Sequence, residues 1–175
     1  ADPHYQPREG QLAMAQAVAH AMGAGEVLVA EAGTGVGKTY AYLVPALLSG
    51  ERVLLSTATK ALQDQLFSRD IPRLVQALEV PVRVALLKGR SSYLCLHRLG
   101  MARHAVGGES PQQIRVLAKI EEWSRSTRSG DLSELTGLDD RSPVIPWVTS
   151  TRENCLGSHC PSAKDCPVNQ ARRQA

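Results

Sequence analysis

No stretch of this sequence approaches the roughly eighteen consecutive apolar residues that a membrane-crossing helix needs. The opening Ala1-Asp2-Pro3-His4-Tyr5 has neither the basic nor the apolar region of a secretory leader, so the expected address is cytoplasmic. Internal repeats and low-complexity tracts are absent as well. A large net charge is also missing. The formal value of +3 is too small to declare a polyanionic partner by itself. What is present excludes disorder: 175 residues, 43% hydrophobic and 21% charged, suffice for a buried core of one domain, or one and a half.

The distribution of charge says more than its sum. Residues 1–87 hold seven Lys or Arg against eight Asp or Glu, and residues 88–175 hold thirteen against nine. The positive excess therefore lies in the second half. A solvated basic face and a nucleic-acid surface both fit this asymmetry.

The first half alternates helical and strand patterns. Gln11–Met22 has apolar residues at helical spacing and ends at Gly23, Thr39–Leu48 reads as a second helix, and Lys60–Phe67 as a third. Between them, residues 27–30, 52–56 and 82–87 are short apolar runs that predict strands. Strand, helix, strand in this order predicts an α/β fold with a parallel sheet. The pattern changes near Lys88-Gly89. Helices are expected over Tyr93–His104 and Pro111–Ser126, with loops from Thr127 to Thr151. The expected division is into 1–87 and 88–175.

Ala32-Gly33-Thr34-Gly35-Val36-Gly37-Lys38-Thr39 fits the phosphate-binding pattern G-x-x-x-x-G-K-[ST], with Ala32 in place of its first Gly. Gly35 and Gly37 admit backbone N–H groups to phosphate oxygens, and the helix N-terminus adds favourable partial charge. Lys38 would reach the β- and γ-phosphates, and the Thr39 hydroxyl would bind Mg²⁺. Upstream, Tyr5-Gln6-Pro7-Arg8-Glu9-Gly10-Gln11 offers a ring to stack on a base and an amide to pair with adenine, which favours ATP.

Four cysteines, Cys95, Cys155, Cys160 and Cys166, are spaced C-x59-C-x4-C-x5-C. Disulfides suit a secreted protein rather than a nucleotide-binding one, and inert core thiols do not suit a loop of Gly, Ser, Pro and Asn. Metal binding remains. Zinc sites usually show paired tight knuckles, whereas here the first ligand stands alone. A [4Fe–4S] cluster accepts thiolates from separate segments, so the spacing favours it and leaves zinc open. His97 and His159 lie near these positions as bystanders. Among basic residues of the second half, Lys119, Arg125, Arg128, Arg152, Lys164, Arg172 and Arg173 are candidate DNA contacts as a group. Trp123 is expected to pack its helix, and Trp147 fits packing and base stacking equally.

Four blocks, Glu31–Thr39, Ser56–Leu66, Leu87–Cys95 and the Cys155/Cys160/Cys166 group, resemble the XPD/DinG family of iron–sulfur DNA helicases, and within it the bacterial YoaA-type, DinG-like branch. The likeness runs from about Tyr5 to Arg173 with the motifs in family order. It implies a partial RecA-like ATPase domain with a mainly helical iron–sulfur domain inserted in it. It also implies ATP-driven 5′ to 3′ movement on single-stranded DNA, with forked duplex as substrate, in repair or replication.

By the same resemblance, Gln11 would sense adenine, residues Ala32 to Thr39 would bind ATP and Mg²⁺, and the four cysteines would hold the [4Fe–4S] cluster. Thr57 and Thr59 would touch the DNA backbone, positioning the strand without reading its sequence. Arg90 resembles a family arginine that supports the cluster region, and Ser92 stands where Asn is usual in the branch. The sequence has no Asp-Glu-x-His box after the cysteines and no second motor domain, so the expectation is a fragment of a helicase, inactive alone. A P-loop kinase or transporter ATPase would leave the cysteines without purpose. A zinc-stabilised, non-catalytic nucleic-acid-binding module would leave Lys38 and Thr39 without one.

Overall fold

Helix-forming sequence governs the computed structural model, which describes residues 8–104 and 110–175. The proposed stacking residue Tyr5 lies outside them. The chain divides into two units, Ala1–Val84 and Ala85–Ala175.

In the first unit, helix α1 (Glu9–Ala24) carries Glu9 in its first turn, where a negative charge complements the helix N-terminus. It packs against α2 (Lys38–Leu48). Helix α3 (Lys60–Gln65) is capped by the Thr59 side chain, which accepts a hydrogen bond from the Leu62 N–H at 3.2 Å. A π-helical turn, Leu66–Asp70, joins it without a break to α4 (Ile71–Leu78). Leu43, Leu66 and Ile71 form the buried centre, with Leu47, Leu62, Leu74 and Val75 around them. The π turn brings Asp70 inside, where its carboxylate accepts from Gln65 Nε2 at 2.7 Å and Arg69 Nε at 2.9 Å.

The expected parallel sheet is not formed among the described residues. Residues 27–30, 52–56 and 82–87 lie outside regular structure, and the β-bridge found is a single antiparallel one between Tyr93 and Asp131. Val27, Val29 and Leu54 are more than nine-tenths exposed. Apolar sequence marks a segment for burial, but a strand exists only when an adjacent segment accepts and donates its ladder hydrogen bonds. These three do not serve one another as partners.

The second unit is built of helices and turns. A 3₁₀ turn (Arg90–Ser92) leads to α5 (Leu96–His104), and α6 (Pro111–Ser124) follows. The expected helix from Tyr93 begins only at Leu96, because Tyr93 bridges Asp131 and the Leu94 N–H is bound to the Gly130 carbonyl at 2.8 Å. Ser110 and Gln113 close a reciprocal capping box at the start of α6. The expected loop region contains a 3₁₀ turn (Leu132–Glu134) and the short α7 (Ile145–Val148). A 3₁₀ turn (Gly157–His159) and α8 (Pro167–Gln174) complete the unit. Its core joins Leu94, Leu99, Leu117, Ile120, Leu132, Leu135, Val144 and Val148, and both Trp123 and Trp147 pack against it. For Trp147 this is the packing role.

Candidate functional site

The phosphate loop ends where α2 begins: Gly37 is the residue before the helix, and its carbonyl accepts the N–H groups of Tyr40 and Ala41 at 3.1 and 3.2 Å. Gly35 and Gly37 have φ of 82° and 90°, left-handed values that favour glycine. At Gly37 a second constraint applies: a Cβ would collide with the Gln11 amide. That amide donates to the Gly37 carbonyl at 3.0 Å, and Arg8 donates to the Gly35 carbonyl. Lys38 turns its ammonium back onto the loop, donating to the carbonyls of Ala32 and Gly33 at 2.6 Å each. Arg8, Gln11 and Lys38 thus each hold part of the loop, at Gly35, at Gly37, and at Ala32 and Gly33. Thr34 and Val36 lie in the loop between them, and Thr39 is half-buried in the first turn of α2.

Thr57 and Thr59 take no part in these hydrogen bonds. Thr57 Oγ1 donates to the Thr59 carbonyl at 3.3 Å, and Thr59 Oγ1 is the cap of α3. Each hydroxyl therefore has a local structural task.

All four cysteines belong to the second unit, all are half-buried, and none is in a disulfide. Cys95 is held by its N–H to the Val148 carbonyl at 2.7 Å, and its own carbonyl starts α5. Cys155 Sγ accepts a hydrogen bond from Arg90 Nη1 at 3.1 Å. Cys160 closes the 3₁₀ turn at Gly157–His159, and Cys166 is the residue that begins α8. Among the described residues no group of three or more Cys, His, Asp or Glu is arranged to hold a metal ion. The donor set nevertheless suits a thiolate-bound centre: four thiols free of disulfides, three of them on residues whose backbone is hydrogen-bonded and the fourth, Cys155, held by Arg90 through its sulfur.

Next to these lies an ion pair that sequence reasoning missed. Lys88 Nζ and an Asp131 carboxylate oxygen are 2.7 Å apart, with side chains 3% and 7% exposed. Lys88 Nζ also donates to Ser133 Oγ at 3.0 Å, and its backbone N–H donates to the Tyr93 hydroxyl at 3.0 Å. The second Asp131 oxygen accepts from the Ser133 N–H and hydroxyl. The pair is separated by more than forty positions, so no local pattern signals it.

The basic candidates divide by their partners. Lys119 donates to the Thr136 carbonyl at 2.6 Å, and Arg125 pairs with Glu121 at 3.1 Å. Arg152 and Arg172, by contrast, line a cleft of about 610 Å³ together with Arg90, Ser91, Ser150 and Thr151. Arg128, Lys164 and Arg173 are exposed. A hydrogen bond from Thr151, with another from backbone, holds the nearby Glu153 carboxyl below its usual range.

The comparisons follow this geometry. The DEAD/DEAH box helicase family matches residues 12–125, which include the phosphate loop and Cys95. The ATP-dependent DNA helicase YoaA of Escherichia coli is 52% identical over 174 residues, covering 99% of this chain and 27% of that protein. YoaA of Haemophilus influenzae is 47% identical over 98% of the chain and 27% of its own length. The ATP-dependent helicase DinG of Mycobacterium tuberculosis is 42% identical, over 96% and 28%. The chain thus spans little more than a quarter of these relatives. With the phosphate loop inside the matched region, the chain belongs to the DEAD/DEAH box helicase family.

Proposed function

We propose that this chain is the nucleotide cradle and cysteine-bearing part of an ATP-dependent DNA helicase of the XPD/DinG type, moving 5′ to 3′ on single-stranded DNA and opening forked duplex in repair or replication. The observation that carries the reading is the loop in which Lys38, at the start of α2, and Gln11, from α1, converge on the same backbone.

Phosphoryl transfer is mostly positioning and charge stabilisation. On arrival of ATP, Lys38 exchanges the carbonyls of Ala32 and Gly33 for β- and γ-phosphate oxygens. The α2 N–H groups take phosphate oxygens, Thr39 binds Mg²⁺, and Gln11 reads the adenine edge. An acidic box to complete the Mg²⁺ site and an arginine for the transferring phosphoryl are not in this part. Hydrolysis by the 175 residues alone is therefore expected at background.

Cys95, Cys155, Cys160 and Cys166 would hold a [4Fe–4S] cluster, which when bound ties distant segments of the second unit together. Arg90 donates to Cys155 Sγ and so fixes the direction of that sulfur. The cleft of Arg90, Arg152 and Arg172, with its three hydroxyl residues, suits backbone phosphates of a DNA strand, and Thr57 and Thr59 offer further hydroxyls. Trp147 packs against the core of the second unit.

The test of the cradle is Mg·ATP binding to the 175-residue chain. Lys38→Ala is expected to weaken it about 10- to 100-fold, the worth of a hydrogen bond to a charged group. Unchanged affinity, or turnover by the chain alone at rates normal for a helicase, would refute the proposal. Metal analysis after anaerobic purification separates the cluster from its rival: iron with matching sulfide supports it, and zinc alone supports the non-catalytic module.

A further inference from the structure

We infer that Gly130 is a positioning residue for the four-cysteine centre, setting the segment that bears Cys95 against the one that bears Cys166. The inference rests on the reading of these cysteines as [4Fe–4S] ligands and adds to it a residue that is not itself a ligand.

Three observations converge on Gly130, which is buried. Its carbonyl accepts the N–H of Leu94, the neighbour of Cys95, at 2.8 Å. Its bare Cα faces the ring of Pro167, the neighbour of Cys166: a Cβ there would lie 2.5 Å from Pro167 Cγ and 2.6 Å from Pro167 Cβ. Its φ of 66° is left-handed, and its N–H is fixed by Thr127 Oγ1 at 3.0 Å. One residue without a side chain therefore touches the neighbours of two thiols far apart in sequence.

The contact cannot be kept with any other residue type. A methyl group within 2.6 Å of ring carbons must move something, and Pro167 is the first residue of α8. Both sides are packed: Pro167 and Val168 are buried, Leu94 is 1% exposed in the core, and Cys95 is bound to Val148. Whichever side yields, Cys95 and Cys166 change place relative to each other. A cluster needs all its thiolates in one small volume, and shifts of groups that orient metal ligands typically cost about 10- to 100-fold in metal affinity.

The experiment is anaerobic reconstitution of the 175-residue chain with ferrous iron and sulfide. Iron and sulfide per chain and the visible absorption and circular dichroism of the bound centre are measured beside the far-ultraviolet helical signal. Gly130→Ala is expected to keep its helical signal while loading falls roughly tenfold at limiting iron. Gly137→Ala is the control: φ there is 73°, but the nearest atom to its Cβ is the flexible end of Lys119, at 3.3 Å. It should load like the parent, which separates backbone strain from the Pro167 contact.

Should Gly130→Ala lose its helical signal, Pro167→Gly tests the same contact from the other side, with reduced loading expected. Full loading of either folded variant overturns the inference and leaves the cluster reading intact. A parent chain that takes zinc, or neither iron nor sulfide, sinks the cluster reading and the inference with it.

Discussion

Lys88 and Asp131 show how much one pair of side chains can carry when water is kept from both. Burying two charges is expensive, and the cost is offset only where geometry and further hydrogen bonds are good. Here Ser133 supplies those bonds, accepting from the Lys88 ammonium and donating its N–H and hydroxyl to Asp131. Asp131→Asn removes the formal negative charge facing a buried ammonium, and it should destabilise the second unit by about 3–5 kcal/mol. Lys88→Met with Asp131→Leu should restore most of that loss. Urea denaturation of the three proteins decides it, and equal midpoints for parent and Asp131→Asn would contradict the argument. The contrast with the phosphate loop is instructive about legibility. The loop was readable because its Gly, Lys and Thr act within eight consecutive positions, and local spacing encodes local geometry. Lys88 and Asp131 meet only through the tertiary fold, as do Gly130 and Pro167.

At the scale of elements, the π turn at Leu66–Asp70 is the clearest case of sequence and structure parting. The third helix was expected to end at Phe67, yet the backbone runs through the wider turn into α4. A π turn shifts the register of the apolar positions, so a search at 3.6 residues per turn loses the pattern there. Helix α8 is hidden for another reason: it follows a stretch of Gly, Ser, Pro and Asn that reads as loop, and its Pro167 occupies the first helical position, which Pro also favours.

The turn also has a pH signature. Burial alone would raise the Asp70 carboxyl, but hydrogen bonds from Arg69 and Gln65 and the charges of Arg69 and Arg73 together hold it below its usual range. Folding therefore favours the ionised form. Its contribution is fully present above the unfolded value of about 3.9 and is lost as pH falls through the lower folded value. Asp70→Asn should lose stability near neutral pH and show a flatter decline in acid. Parallel acid-unfolding curves for parent and variant would count against this.

For the whole molecule, the decisive feature is the sheet that is not formed among the described residues. Residues 27–30, 52–56 and 82–87 have the composition of buried strands, yet none of them is a strand here: local composition can be read from sequence, whereas pairing cannot. Hydrophobic composition is written locally, whereas a ladder requires the groups of another segment. A chain spanning little more than a quarter of its relatives need not contain them. Amide hydrogens of residues 27–30 and 52–56 should exchange rapidly in the 175-residue chain and be protected in a protein of the relatives' full length. Hydrogen exchange with mass spectrometry measures both, and protection in the short chain would show that the segments already pair.

The grip of Lys38 on Ala32 and Gly33 has a kinetic corollary. On the proposed reading the carbonyls of Ala32 and Gly33 would compete with triphosphate for the ammonium, so nucleotide would enter by displacing them rather than by filling an empty cup. In a full-length helicase, departure of nucleotide would let the lysine fold back onto the loop, easing release and leaving the cradle preshaped.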